Sequence, residues 1–398
     1  MKILQIHLFV LIFFALISSD ALAQVPSPAH VVIVIEENHD YTQIIGSAAA
    51  PYINALVADS NSALFTQSYA LTHPSQPNYI MLFSGSNQGV IDDNLPANLP
   101  FLTLNLGASL INGGKTFAGY SEDLPYVGFN GVSSGAYARK HNPWANWQSS
   151  PANGIPPTAN APLTNLPSPY DSLPTVAFVI PNQNNDMHNG SDPATITTGD
   201  TWLQNHLNGF IQWAKTHNSL FILTFDEGTT SGSNRIATLF LGAMVRHGQY
   251  SEYINHYSVL RTIEDMYGLP YAGGSATATP ITDCWTSVSG VVNETASIPK
   301  GISLQQNYPN PFNPTTNIGF SVPPGRDLAG GGRIPDFGFV SLKVFNTLGE
   351  VVATLVSEEL HSGSYTARWE ASGFSSGVYF YRLQTGPFSE TRKLILLK

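Results

Sequence analysis

Three short stretches of the chain are apolar without interruption and stop abruptly at acids or histidines. Residues 31–35 (VVIVI) end in Glu36-Glu37-Asn38-His39, and residues 176–180 (VAFVI) end in Pro181 and a polar run containing Asp186 and His188. Residues 220–225 (LFILTF) end in Asp226-Glu227-Gly228. Unbroken, β-branched runs of this length predict strands covered on both faces. A fourth run, 236–245, predicts a further strand and carries no acid. Between them, 201–217 predicts a helix, because Leu203, Leu207, Phe210, Ile211 and Ala214 fall on one helical face. Strands alternating with helices predict an α/β domain, a mostly parallel sheet sandwiched by helices. In such sheets ligands bind beyond the carboxyl ends of the strands. Three strand ends bearing acids and histidines should therefore face one edge.

The stretch His73-Pro74-Ser75-Gln76-Pro77-Asn78-Tyr79 leads into an apolar, helix-compatible run. Proline suits a first helical position, so Pro77 predicts a helix start with Ser75 at its mouth, where free N–H groups favour an anion. A serine there can be a nucleophile or an ordinary N-cap. Residues 137–143 hold Arg139, Lys140 and His141, a basic cluster in an acidic region and a candidate contact for a phosphate dianion. Residues 142–173, rich in Pro, Asn, Ser and Ala, read as a long surface excursion of the kind that forms lids and binding loops. Residues 273–301, rich in Gly, Ser and Thr, read as a linker. Beyond it, six short β-type runs separated by turn signals predict a small antiparallel β-sandwich over 302–398.

Charge narrows the function. Of the formal net charge of -10, residues 1–300 hold 9 Lys+Arg against 20 Asp+Glu, and the remainder 8 against 7. An acidic main unit argues against nucleic acid as a partner, but not against a small phosphate ester held through metal ions. The single cysteine, Cys284, excludes an intrachain disulfide framework. Lys2, an apolar core over 8–17 and Ala21-Leu22-Ala23 predict a secretory signal peptide over 1–23. Its apolar core is too short to span a bilayer, and no transmembrane anchor is expected after it. The main unit then runs from 24 to 272.

As chemistry, Glu37, Asp226 and Glu227 are hard oxygen ligands, Asn38 adds a carbonyl oxygen, and Ser75 completes the set. Asp186, His188 and His256 form a second group of mixed oxygen and nitrogen character. A divalent ion touching Ser75 would lower its pKa and neutralise phosphoryl charge; one ion with histidines on the phosphate, or two ions as a clamp, would both serve. Each carboxylate also has a plain alternative as a loop or cap residue. What argues for a site is their joint placement at strand ends.

Five motifs, in order, resemble the phosphoesterase family of the alkaline phosphatase superfamily, which contains acid phosphatases and phospholipases C. They are Val34 through Tyr41, His73 through Tyr79, Asp186-Met187-His188-Asn189-Gly190, Phe225-Asp226-Glu227-Gly228 and His256 through Asp265. The resemblance covers about residues 30 to 270. It implies an alkaline-phosphatase-like fold and a phosphoryl-enzyme intermediate on Ser75. It also implies phosphate contacts from Asn78, with His141, His188 and His256 as further matches, and metal binding at Glu37, Asn38, Asp226 and Glu227, with Asp186 beside them. Alkaline phosphatases carry a histidine where this chain has Glu227. That departure tells against zinc and allows a harder ion, so one or two divalent ions are expected from magnesium, calcium, manganese or zinc. The tail, from Gln305-Gln306-Asn307-Tyr308-Pro309 to Lys393-Leu394-Ile395-Leu396-Leu397-Lys398, is similar to the C-terminal sorting domain of type IX secretion. That implies the type IX machinery as a partner and a secreted or cell-surface location. The expected activity is phosphomonoester hydrolysis of acid phosphatase type on a small phosphate ester or phospholipid head group. A phospholipase C-like diesterase is the enzymatic alternative, and a non-catalytic adhesive protein the alternative of another class.

Overall fold

The computed structural model describes residues 25–286, 292–293, 302–323, 337–361, 363–371 and 373–398. The predicted signal peptide and most of the 287–301 stretch lie outside these residues. In the main unit an eight-stranded sheet is built from β1 (His30–Glu36), β2 (Ser62–Phe65), β3 (Phe117–Ser121), β4 (Asn160–Pro162), β5 (Val176–Ile180), β6 (Ser219–Phe225), β7 (Thr238–Leu241) and β8 (Gly248–Tyr250). Their order is β8-β2-β7-β6-β1-β5-β3-β4. β1 lies between β5 and β6, parallel to both, and β3 continues the parallel set with β5 and β4. The run at 236–245 supplies β7, which pairs antiparallel with both β2 and β6. The sheet is thus mixed and mostly parallel.

The uninterrupted apolar runs have a simple cause. Val31, Ile33 and Ile35 enter one hydrophobic cluster while Val32 and Val34 enter another, so alternate side chains of β1 serve two cores. The strand phase is the same in β5 and β6. One face is covered by α1 (Ser75–Ser84) and α3 (His256–Tyr267), the other by α2 (Ala194–Ala214). The five predicted apolar positions of α2 are all buried. That helix begins at Ala194, seven residues earlier than the periodicity predicts, because Thr195, Ile196, Gly199 and Asp200 are also covered.

Two expectations are corrected. The 142–173 stretch is not a surface excursion throughout: Trp144, Trp147 and Ile155 are fully buried in the core, and residues 160–162 form edge strand β4. Nor does the linker begin at 273. Ile281, Cys284 and Trp285 are buried against the α/β core, and Trp285 packs on Phe240 at 5.7 Å between ring centroids. Backbone hydrogen bonds from Arg246 to Cys284 and from Thr286 to Met244 add this segment to the fold. Small-residue composition hides three anchoring side chains.

The C-terminal unit is an antiparallel β-sandwich as predicted. One sheet contains Thr315–Val322 and Gly363–Glu370, and the other Phe337–Phe345, Val351–His361, Gly377–Thr385 and Phe388–Leu396. Ile318, Phe320 and Trp369 from the first meet Leu342, Val344 and Tyr381 from the second in one core.

Candidate active site

The nucleophile candidate sits differently from expectation. Helix α1 starts at Ser75 itself, with Pro74 as its N-cap and Pro77 in its first turn. Proline is tolerated there because the first N–H groups of a helix have no intrahelical acceptor. Ser75 is the first helical residue and not the N-cap, which removes the N-cap alternative. Its Oγ instead donates to Glu37 Oε2 at 3.1 Å and lies 3.4 Å from Asn38 Oδ1. All ten residues of α1 are buried. At its far end Gly85 has φ +68°, and any Cβ there would collide with the carbonyl of Ala272. The helix is thereby clamped at both ends.

The ends of three strands surround that hydroxyl. Glu37 follows β1; its Oε1 accepts from the Tyr79 hydroxyl at 2.5 Å. Asn38 adopts a left-handed conformation (φ 51°), so that its N–H donates to Asp226 Oδ1 at 3.0 Å. Asp226 and Glu227 follow β6. Asp186 follows β5, and its carbonyl accepts from the Glu37 N–H at 2.8 Å. His141 stacks on Tyr79 with ring centroids 5.0 Å apart, and its two ring nitrogens stand 3.1 Å from Glu37 and 3.3 Å from Asp186.

Several of these atoms are buried without a hydrogen-bond partner: Asp186 Oδ2, Asp226 Oδ2 and His141 Nε2. The His141 approach to Glu37 is close but not aligned as a hydrogen bond. Orphaned polar atoms are costly, and convergent ones signal an ion. Glu37, His141 and Asp186 each offer a ligand atom within 4.8 Å of the others, so this buried group could hold a metal ion. Electrostatics point the same way. Burial, then repulsion from Glu37 and Glu227, pushes the Asp226 carboxyl well above its usual range. Burial raises Asp186 to about 7 and, with repulsion from Glu37, Glu227 to about 8. Burial also drives His141 down to about 4, leaving a neutral imidazole suited to a metal. A divalent cation would offset the upward shifts of the three carboxyls and would keep His141 in its neutral, ligating form.

The remaining predicted residues are placed as follows. Asn78 Oδ1 accepts from the N–H groups of Leu71 and Thr72, and its Nδ2 donates to the Thr72 carbonyl and to Glu227. It holds the loop before Ser75. Lys140 is ion-paired to Asp93 at 2.8 Å and lies within electrostatic reach of Glu37 and Asp226. His188 has its ring 6.1 Å from that of His141, and its N–H donates to Asp186. His256 is buried with Nε2 engaged on the main-chain carbonyl of Asp226 at 2.7 Å, so that nitrogen is not free for a phosphate. Sequence reasoning missed His73, whose Nδ1 stands 3.0 Å from Glu227 Oε2, as well as Tyr79 and Asp93. His73 and Tyr79 lie inside the motif around Ser75, which is the signal that could have marked them.

The Phosphoesterase family model matches residues 48–270, over half of the chain. The chain belongs to the phosphoesterase family. A phosphatidylinositol-3-phosphatase of Mycobacterium tuberculosis is 49% identical over 267 residues, which cover 67% of this chain and 85% of that protein. An acid phosphatase of Aspergillus fumigatus is 32% identical over 297 residues, 69% of this chain but only 63% of that protein. Among solved structures, the lipoteichoic acid synthase LtaP of Listeria monocytogenes aligns over 71% of this chain and 81% of its own at 10% identity, with a TM-score of 0.46. A secretion-system C-terminal sorting domain matches residues 306–397. The family member is a phosphoric ester hydrolase carrying an export tail, and the tail implies secretion or cell-surface export. No helix among the described residues is long and apolar enough to cross a membrane.

Proposed function

We propose that this phosphoesterase is a metal-dependent phosphomonoesterase that works through a phosphoserine at Ser75. The observation that carries the reading is the Ser75 hydroxyl, fixed on Glu37 in the first turn of a wholly buried helix and surrounded by orphaned acceptor atoms. The residues fit a divalent ion: Glu37, Asp186, Asp226 and Glu227 supply oxygens, Asn38 a carbonyl oxygen and His141 a nitrogen. Bound there, an ion supplies Lewis-acid polarisation of the phosphoryl group. The chain's own residues do the rest. Ser75 Oγ forms a bond to phosphorus as the ester P–O bond breaks, and its proton leaves along the hydrogen bond to Glu37 Oε2 and ends on the departing alkoxide. Water then attacks phosphorus, the Oγ–P bond breaks, and inorganic phosphate is released with the hydroxyl restored. Lys140 supplies positive charge beside the site, and Asn78 holds the Ser75 loop and Glu227 in register.

The named phosphatases among the relatives favour a monoester over a diester, and the bacterial relative points to a phosphorylated lipid head group as one substrate class. Export through the type IX route, with a signal peptide at residues 1–23, completes the reading.

The test is Ser75→Ala. With no capping bond to lose, a structural role predicts near-normal turnover; a nucleophilic role predicts a loss of roughly three orders of magnitude or more in kcat. Acid quenching of the wild type during turnover should leave a phosphate mass increment on the Ser75 peptide. Near-normal turnover in the variant with no labelled peptide would sink the mechanism. Comparing p-nitrophenyl phosphate with p-nitrophenylphosphorylcholine, with and without chelator, separates monoesterase from diesterase and tests the metal.

A further inference from the structure

Immediately beyond Ser75, the side chain and backbone of Gln76 gather the loop at 92–94. The Gln76 N–H donates to Asp93 Oδ1 at 3.0 Å, and its Nε2 donates to the carbonyls of Asp92 at 2.9 Å and Asn94 at 2.7 Å. Asp93 in turn holds Lys140. Gln76, Asp93 and Lys140 border a recess of about 140 Å³ whose other walls include Leu95, Val132 and Ala138. Leu95 and Val132 are 53% and 57% exposed, large apolar side chains left in water beside a catalytic centre. Gln76 directly follows Ser75 and Lys140 directly precedes His141, so the recess adjoins the phosphoryl site. Gln76, Asp93 and Lys140 give it a polar side, and Leu95, Val132 and Ala138 an apolar one. A volume of this size accommodates a single small ring or a short alkyl chain, not a whole lipid.

We propose that this recess is the leaving-group subsite and that it takes the apolar part of an alkyl or aryl phosphate, with Leu95 and Val132 as specificity-determining residues. The inference rests on the phosphomonoesterase reading: the ester oxygen leaves Ser75-bound phosphorus toward Lys140, and the attached hydrocarbon lies along the two apolar side chains. Burying that hydrocarbon in the transition state raises kcat/KM without touching the chemistry.

Ethyl and hexyl phosphate provide the test, since the two alcohols have closely similar acidity and differ in hydrocarbon. In the purified full chain supplied with divalent metal, hexyl phosphate should exceed ethyl phosphate in kcat/KM by about tenfold or more. The double variant Leu95→Asn, Val132→Asn should bring that ratio near one, chiefly by lowering kcat/KM for hexyl phosphate; both positions are exposed, so folding is not at stake. A wild-type ratio near one, or a ratio that survives the double substitution, overturns the subsite while leaving the phosphomonoesterase intact. No turnover of either ester overturns the phosphomonoesterase reading and the subsite with it.

Discussion

The α/β unit buries Glu36, Glu37, Asp186, Asp226 and His141 where its strands end, whereas the β-sandwich, among its described residues, buries no carboxylate, histidine or cation. Its buried polar residues are Asn307, Thr316 and Ser321, and its core is otherwise apolar or tyrosine. Burying ionisable groups is unfavourable unless something compensates. The first unit accepts that cost and offsets it with two apolar cores; the second, among its described residues, avoids it. Asp200 and Glu264 are buried as well, but each accepts from backbone N–H groups; the candidate site is set apart by convergent buried carboxylates with atoms left unpartnered.

The largest predicted effect falls on that buried charge. Asp226→Asn keeps the shape of the side chain but removes the anion opposite a bound ion. Loss of a mere outer partner costs 10–100-fold in metal affinity or activity, so turnover should fall by about a hundredfold or more, with reduced metal content by elemental analysis. Full metal content with an unaltered rate would remove Asp226 from the site. Next comes the edge of the unit. A chain ending at 272 loses Ile281 and Trp285 from the core, a deficit on the order of 5 kcal/mol that rivals a typical domain's whole stability. It should unfold at much lower temperature than a chain ending at 299, as calorimetry would show.

A smaller effect concerns protons. Burial raises Glu264 to about 7, even though Ser275 Oγ and the Ala272 N–H both donate to it. A carboxyl raised on folding binds its proton more tightly in the folded state. Its contribution is therefore full below the usual glutamate pKa and is lost as pH rises toward 7. The α/β unit should lose stability across that window, less so in Glu264→Gln, while the sandwich, with no buried carboxylate among its described residues, should show no such slope; equal slopes in the two proteins would contradict this. The smallest effect is none at all. Removing everything after 299 should leave specific activity unchanged, since every candidate site residue lies before 272.

Much of the site was legible because hydrophobic runs broke off at acids, and a strand end in a parallel sheet has a known direction. That rule brings Asp186, Asp226, Glu227 and the glutamate pair at 36–37 to one edge. The helix start was read two residues late because proline suits several first-turn positions equally. Of two adjacent glutamates, only Glu37 reaches Ser75 while Glu36 is buried without a partner, and the two are not distinguished by any pattern in the chain. The His73–Glu227 and Lys140–Asp93 approaches join residues far apart in sequence, where no spacing rule applies. The anchoring by Ile281 and Trp285 was masked by the small residues around them.

Helix α1 has no wet face. Its amide hydrogens beyond the first turn should then exchange with solvent only when the whole α/β unit opens. The orientation of the Ser75 hydroxyl is thus inherited from global folding. Heat should abolish activity in step with unfolding of the unit, without an earlier stage in which the protein is folded but inert. Adjustment to different substrates must come from the loops facing the helix, because the helix itself has nowhere to move.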